Sequence, residues 1–204
     1  MSGPFQTDLP RTVYISLDFD RNLHEFNLFL CYIFSRMLSK IDAAIANYPD
    51  FPKAGILFRD LNPVYKDPAL FKGLVQEFIK AAKNLGDFDY IAGVEARGFI
   101  LAAALAYEVG AGFIPVRKKG KLPGKVHTVT YQLEYGEDSL QIQDNPDLKN
   151  AKVLIVDDVF ATGGTMHGVI ELFRKCGAQP SFGVIIDIKL IDRQTLGVPN
   201  FALY

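Results

Sequence analysis

The stretch from Val153 to Thr165, VLIVDDVFATGGT, constrains the fold more than any other part of the chain. It opens with four aliphatic residues, Val153 to Val156, which is typical of a strand buried on both faces. From Thr165 to Cys176 apolar residues recur at helical spacing, and Gly177 is suited to end that helix as its C′ residue. A buried strand that leads through a short loop into a helix is the repeating unit of an α/β fold.

The loop between this strand and helix has the composition of an anion site. Its residues are small, so backbone N–H groups can point inward at a helix N-terminus, where an anion gains roughly 0.3–2 kcal/mol. Two threonine hydroxyls would add further donors. We therefore expect a phosphate group to bind Ala161, Thr162, Gly163, Gly164 and Thr165.

Two adjacent carboxylates, Asp157 and Asp158, precede the loop. Neighbouring residues on a strand face opposite ways, so this pair cannot flank one bond as glycosidase acids do across about 5–9 Å. The pair can accept hydrogen bonds from vicinal hydroxyls such as O2 and O3 of ribose. An acidic turn after a strand would explain a single aspartate, but the whole string indicates a site for a phosphorylated ribose.

The composition is that of one ordinary globular domain, with 204 residues, 49% hydrophobic and 22% charged. The net charge of −1 gives no reason to expect nucleic-acid binding, which needs a basic surface. The longest apolar cluster, Phe26 to Phe34, is too short for the roughly 20 residues of a membrane span, so no membrane association is expected. Cys31 and Cys176 have no disulfide or CxxC spacing, which favours a cytoplasmic protein.

Periodicity predicts alternating strands and helices along the rest of the chain. Residues 22–46 have the spacing of one amphipathic helix. Further helices are predicted at 68–85 and 99–109, strands at 90–94, 112–116, 153–156 and 182–188, and an antiparallel hairpin at 126–143 whose turn is at 135–138. These elements predict an α/β fold, a mainly parallel twisted sheet flanked by helices.

The segment 153–165 resembles the phosphoribosyl pyrophosphate (PRPP) signature of type I phosphoribosyltransferases. Segments 48–60, 95–99, 116–124 and 131–136, in that order, resemble the adenine phosphoribosyltransferases, and the likeness runs from about residue 40 to 204. The resemblance implies a small N-terminal hood and a protruding flexible hairpin or loop beside the sheet. It divides the chain into an atypical arm at 1–21, a helix and base-recognition hood at 22–66, and a core at 67–204 whose flexible loop is 117–143.

The family resemblance implies a reaction in purine salvage, the Mg²⁺-dependent transfer of 5-phosphoribosyl from PRPP to adenine, which gives AMP and pyrophosphate. Mg²⁺ would be held mainly by PRPP and pyrophosphate, with no direct protein ligand. The ribose hydroxyls would bind Asp157 and Asp158, and the 5′-phosphate would bind residues 161–165. The resemblance further implies a homodimer in which Arg117 reaches the neighbouring active site.

The same resemblance assigns the remaining site residues. Glu134 would shuttle the proton of adenine N7, Tyr135 would cover the site, and Arg97 would complete the catalytic group. Adenine would contact Leu57, Phe58, Arg59 and Val159, and pyrophosphate would contact Glu95, Ala96, Arg97, Arg117, Lys118 and Lys121. A cis peptide is implied between Glu95 and Ala96.

Two alternative functions stay open on the sequence. One is a phosphoribosyltransferase for a 6-oxopurine, hypoxanthine, guanine or xanthine, and the other is a regulator that senses PRPP without turnover. The presence of Glu134 and Arg97 argues against the regulator. Ala96 and Phe160 depart from the family pattern, and the sequence assigns no change of activity to them.

Overall fold

The structure, a computed structural model, describes residues 36–133 and 136–204. The predicted arm at 1–21 and the first part of the helix predicted at 22–46 lie outside these residues, as do Glu134 and Tyr135. The described chain begins in that predicted helix, here α1, whose described residues are 36–44. Across both described ranges, no helix combines the length and the apolar character that a membrane span requires.

The other elements alternate along the chain much as the sequence predicts. The helices are α2 (Asn62–Lys66), α3 (Pro68–Lys83), α4 (Gly98–Val109) and α5 (Gly164–Lys175). The strands are β1 (Ala46–Pro49), β2 (Leu57–Asp60), β3 (Tyr90–Val94), β4 (Gly112–Lys118), β5 (Val126–Leu133), β6 (Gly136–Gln143), β7 (Lys152–Phe160), β8 (Gln179–Asp187) and β9 (Asn200–Ala202). Short 3₁₀ helices lie at Pro146–Leu148 and Arg193–Leu196.

Seven strands form one sheet in the order β5-β6-β4-β3-β7-β8-β9. The four pairings from β4 across to β9 are parallel, and the pairings of β6 with β4 and with β5 are antiparallel. The contact between β4 and β6 is short, because only Arg117 and Lys118 pair across it, with Gln141 and Leu140. The mainly parallel sheet confirms the predicted fold class.

The central strand β7 shows why the sheet carries helices on both sides. Val153 and Ile155 belong to a core cluster that includes Phe173 of α5, and the alternate residues Leu154 and Val156 belong to a second cluster. That second cluster contains buried residues from α1, α3 and α4. Successive side chains of a strand point to opposite faces, so an uninterrupted apolar run is what a strand between two helical layers requires.

Local signals explain the helix ends. Asp67 accepts hydrogen bonds from the N–H groups of Ala69 and Leu70 at 2.8 and 3.0 Å, and Pro68 fills the first position of α3. Gly177, at φ +78°, follows the C-cap residue of α5 as predicted.

Some element boundaries differ from the predictions. Strand β7 continues through both aspartates to Phe160, because β8 pairs with it as far as Asp187. The predicted hairpin is present, but Gly136 is already paired with Leu133, so residues 136–138 belong to β6 rather than to the turn predicted at 135–138. The sequence also missed β1, β2, α2 and β9, which are too short to show a clear period.

Candidate active site

The carboxyl ends of β3 and β7 meet in a cavity of about 290 Å³. Because the two strands are parallel neighbours, the residues that follow each of them reach the same edge of the sheet. The cavity lining includes seven of the predicted site residues, Glu95, Ala96, Arg97, Lys118, Asp157, Asp158 and Thr165. Val159, predicted to contact adenine, also lines it.

A smaller recess of about 80 Å³ adjoins this cavity and is lined by the predicted phosphate loop, residues 161–165. Gly163 precedes α5 with φ +77°, and a Cβ there would lie 2.7 Å from Cδ1 of Ile191. A residue with a side chain would therefore be strained at this position as well as crowded. The loop places the N-terminus of α5 at the recess, which is the arrangement that favours an anion.

The paired carboxylates lie beside one guanidinium, with Asp158 buried and Asp157 partly buried. Oδ2 of Asp158 lies 2.7 Å from Nε of Arg97, and the Asp158 side chain is 6% exposed whereas that of Arg97 is 48% exposed. The N–H of Asp158 donates to Oδ1 of Asp157 at 2.9 Å. Burial, followed by the charge of Asp158, raises the pKa of Asp157 well above its ordinary value. Burial also raises the pKa of Asp158, and the charge of Arg97 opposes this shift.

The turn after β3 contains the expected cis peptide between Glu95 and Ala96. Oε2 of Glu95 accepts hydrogen bonds from Nε of Arg117 at 3.0 Å and from the N–H of Lys118 at 2.8 Å. The hydrogen bond from Arg117, followed by that from Lys118, lowers the pKa of Glu95. In this arrangement the Glu95 carboxylate holds the end of β4 against the turn that carries Arg97.

Two residues that the sequence analysis did not single out also line the cavity, Asp138 of β6 and Tyr131 of β5. Nζ of Lys118 lies 3.1 Å from Oδ2 of Asp138, which accepts a longer hydrogen bond of 3.5 Å from the Tyr131 hydroxyl. Burial acts to raise the pKa of Asp138, but hydrogen bonds from the N–H of Ser139 and from Lys118 outweigh it and lower that pKa. The predicted hairpin placed Asp138 in its turn, whereas the observed register pairs Asp138 with Tyr131, so the predicted turn concealed this signal.

The predicted hood is a separate antiparallel sheet of β1 and β2. The guanidinium of Arg97 lies over the ring of Phe58, 5.2 Å from its centroid, which links the hood to the cavity. Arg59 instead pairs with Asp42 of α1 at 2.6 Å, and Leu57 is 58% exposed. Of the three predicted hood contacts, Phe58 is therefore the one tied to the cavity lining.

Other predicted residues lie farther from the cavity or outside the description. Lys121 is exposed in the turn after β4 and does not line the cavity, although its charge contributes to the lowered pKa of Glu95. Glu134 and Tyr135 belong to the residues that the structure does not describe, so their roles stay predictions. Phe160, which departs from the family pattern, is buried and stacks on Phe182 at 5.7 Å, whereas nothing in the structure explains alanine at position 96.

Gly98 brings α4 against β7, and we expect Gly98→Ala to destabilise the protein. A Cβ at this position would lie 2.6 Å from the carbonyl oxygen of Val156 and 3.1 Å from Oδ1 of Asp157. Overpacking against backbone costs about 1–3 kcal/mol of unfolding free energy, measured by urea denaturation. A matched control is Gly73→Ala, whose Cβ would meet the flexible side chain of Met37 at 2.5 Å. Equal losses for the two variants would contradict this explanation.

Known proteins match the part of the chain that contains the residues lining the cavity. The family model described as "Phosphoribosyl transferase domain" matches residues 65–197. The adenine phosphoribosyltransferase of Synechococcus sp. (strain JA-2-3B'a(2-13)) is 46% identical over 151 residues, which are 74% of this chain and 86% of that protein. The corresponding protein of Candida albicans is 41% identical over 170 residues, 82% of this chain and 90% of its own.

A solved structure extends the likeness to the fold. The adenine phosphoribosyltransferase of Saccharomyces cerevisiae superimposes with a TM-score of 0.80 at 35% identity, over 83% of this chain and 99% of the yeast chain. That yeast protein was crystallised with adenine and D-2,5-dideoxy-2,5-imino-altritol 1,6-bisphosphate.

Proposed function

This chain belongs to the adenine phosphoribosyltransferase family, and we propose that it carries out the family's reaction in the cavity at the carboxyl ends of β3 and β7. The protein is an enzyme of purine salvage that transfers phosphoribosyl from PRPP to adenine and forms AMP. The observation that best supports this location is the convergence of Asp157, Asp158, Arg97 and Thr165 on one cavity beside the N-terminus of α5.

The carboxylates act on the sugar. As pyrophosphate leaves C1, the ribose ring develops oxocarbenium character and positive charge. The two adjacent aspartates accept hydrogen bonds from O2 and O3, and their negative charge stabilises that developing charge. The burial of Asp158 strengthens the interaction, because charges act more strongly where water is excluded.

The phosphate groups bind on either side of the aspartates. The 5′-phosphate binds at residues 161–165, where the N–H groups of the loop and of the first turn of α5 are donors. Arg97 and Lys118, which line the larger cavity, face the leaving pyrophosphate. Glu95 keeps the Lys118 backbone in place for this contact through the hydrogen bond to its N–H.

Mg²⁺ fits this arrangement as an ion that arrives with the substrate. Within residues 36–133 and 136–204, no three histidine, cysteine or acidic side chains cluster as a metal site would need. Oxygen atoms of PRPP and pyrophosphate would supply most of its ligands, because Mg²⁺ is commonly bound through substrate phosphates. When bound, the ion neutralises charge on the leaving group.

The base is read by the hood and deprotonated by a carboxylate. Phe58 supplies an apolar surface close to Arg97, and Val159 lines the cavity. Glu134, the residue after β5 in the sequence, accepts the proton of adenine N7 as N9 forms the new bond. For Glu134→Gln we expect kcat to fall by about 10²-fold with unchanged PRPP binding. Steady-state kinetics and calorimetric titration with PRPP measure both, and an unchanged kcat would remove Glu134 from the proton transfer.

An assay of AMP formation tests the proposed function directly. Purified protein is supplied with PRPP and adenine, hypoxanthine or guanine, with and without Mg²⁺, and pyrophosphate release is followed. We expect turnover with adenine that depends on Mg²⁺. Turnover of a 6-oxopurine but not adenine would assign the alternative transferase, and PRPP binding without any turnover would assign the regulator.

A homodimer and a cytoplasmic location complete the proposal. Helix α4 and the strand after it expose large apolar side chains, among them Tyr107 at 89%, Val109 at 47% and Phe113 at 39%. Burial of such side chains against a second copy is favourable, since exposed apolar patches commonly mark interfaces. Light scattering coupled to size-exclusion chromatography measures the mass, and a monomer at micromolar concentration would contradict the dimer.

A further inference from the structure

The hydroxyl of Tyr65 is buried in α2 and makes no hydrogen bond. It is the one buried side-chain polar atom with this status in the part of the chain that the structure describes. The aromatic ring is held in place, because it packs edge-to-face against Phe71 with centroids 5.6 Å apart. Buried hydroxyls are nearly always bonded in native proteins, so an unbonded one in this position calls for a functional explanation.

The ring of Tyr65 packs against the same apolar cluster as Val159, and that cluster contains Val156, so the residues on either side of the two aspartates share its surroundings. Burial, followed by the charge of Asp158, raises the pKa of Tyr65 well above its ordinary value, and the charges of Arg97, Asp157 and Asp60 also reach it. The phenol therefore stays protonated at every working pH. It is a permanent hydrogen-bond donor beside the strand end that carries the carboxylates.

Arg97 has two tasks that compete. In the free protein its Nε pairs with Asp158 at 2.7 Å. In the reaction the same side chain, which is 48% exposed, faces the pyrophosphate group. Asp158 is almost fully buried and cannot follow it, so a guanidinium drawn towards pyrophosphate leaves this carboxylate without its side-chain cation and with backbone donors.

We propose that Tyr65 is a positioning residue, whose hydroxyl donates to Asp158 when PRPP draws Arg97 away. The proposal rests on the proposed function, because it assigns Arg97 to pyrophosphate. In the free protein the hydroxyl is unbonded and Arg97 holds the carboxylate. In the complex the hydroxyl replaces Arg97 and keeps Asp158 aimed at the ribose hydroxyls, so the energy of this bond appears only when substrate is bound.

The first experiment is Tyr65→Phe, which removes the hydroxyl and keeps the ring. We expect KM for PRPP to rise about tenfold with kcat within about twofold, since a hydrogen bond to a charged group is lost from the bound state. We also expect the melting temperature of the free protein to be equal or higher, and its rise on adding PRPP to be smaller. Tyr90→Phe is the matched control, because Tyr90 begins β3 at the opposite end of the strand from the active site.

Two outcomes would overturn the proposal. An unchanged KM together with an unchanged PRPP-induced melting shift would mean that the hydroxyl has no role in the complex. A lower melting temperature of the free protein with an unchanged KM would mean that it acts only in folding. Both comparisons are with the parent protein, so a parent that forms no AMP would instead count against the proposed function.

A second experiment needs no substrate. In an Arg97→Ala background Asp158 has lost its guanidinium, so the Tyr65 hydroxyl becomes its donor without any ligand. We expect Tyr65→Phe to lower the melting temperature in this background, although it does not do so in the parent protein. The difference between the effects of Tyr65→Phe on the melting temperature in the two backgrounds measures the coupling between Tyr65 and Arg97. An additive cycle would overturn the proposed exchange of partners, whether or not the protein proves to be a transferase.

Discussion

Arg97→Ala is expected to lower kcat/KM for AMP formation by about 10³-fold. The substitution removes the cation that pairs with the buried Asp158 and lines the cavity proposed for pyrophosphate. The buried Asp158 loses its cation, and the leaving group loses a positive charge. Because Arg97 faces pyrophosphate in the proposed complex, the loss should appear mainly in the transition state, as a lower kcat.

Two further arginine variants make this result specific. Arg97→Lys keeps the charge but loses the Nε atom that meets Asp158, so we expect an activity between those of the parent and Arg97→Ala. Arg174→Ala is the control, because Arg174 pairs with Glu171 on α5 at 2.9 Å with both side chains substantially exposed. We expect less than a twofold change for that control. The role of Arg97 would be rejected if Arg97→Ala kept more than about a tenth of parent activity.

Asp157→Asn is expected to lower kcat/KM by about 10³-fold and yet to make the free protein more stable. The amide keeps the oxygen that accepts the N–H of Asp158, so the local fold is retained. It lacks the negative charge that stabilises the ribose in the proposed transition state, and its amide oxygen is a weaker acceptor for the ribose hydroxyl. Together these losses remove about 4 kcal/mol of transition-state stabilisation. It also removes a carboxylate whose ionisation is opposed by burial and by Asp158.

The pH dependence of this stability gain has a defined sign. The pKa of Asp157 is raised in the folded state, so native Asp157 stabilises the fold fully below its unfolded pKa, about 3.9, and loses that contribution as pH rises through the folded pKa. Asparagine does not titrate. The stability advantage of Asp157→Asn should therefore grow as pH rises above about 4, until the folded pKa is passed.

Urea denaturation at several pH values measures this advantage, with Asp147→Asn as control. Asp147 is exposed in a 3₁₀ helix, and its replacement should bring no comparable pH-dependent gain. If Asp157→Asn were less stable than the parent at pH 8, the burial of an opposed charge would not be the dominant effect at this position.

Sequence periodicity was sufficient for the parts of the fold with a strong local signal. The apolar run before Asp157 predicted the central strand, because a strand between two helical layers needs apolar residues on both faces. It did not predict that the strand continues to Phe160, since that extension comes from pairing with β8. The two strands of the hood were missed because four residues are too few to show a period.

The candidate site divides in the same way. Contiguous residues such as 161–165 and Glu95–Arg97 could be found from local sequence and family resemblance. Asp138 and Tyr65 could not, because Asp138 reaches the cavity through the hairpin register and the Tyr65 hydroxyl is buried by the packing of α2. Each would pass for an ordinary surface acid or core aromatic when read alone, and only the three-dimensional neighbours give it a role.

The short edge between β4 and β6 has a mechanical consequence. Lys118 sits on the two-residue seam, and from its partner Leu140 the hairpin continues four residues to Gly136. At about 3.3 Å per residue this stretch is roughly 13 Å long. It is tied back to β4 by the ion pair between Lys118 and Asp138 and by the hydrogen bond that the N–H of Lys119 donates to the carbonyl oxygen of Ser139. Buried Leu140 and Ile142 anchor its root in the core. The ion pair therefore couples the position of Lys118 to that of the hairpin, so a displacement of either side of the cavity is passed to the other.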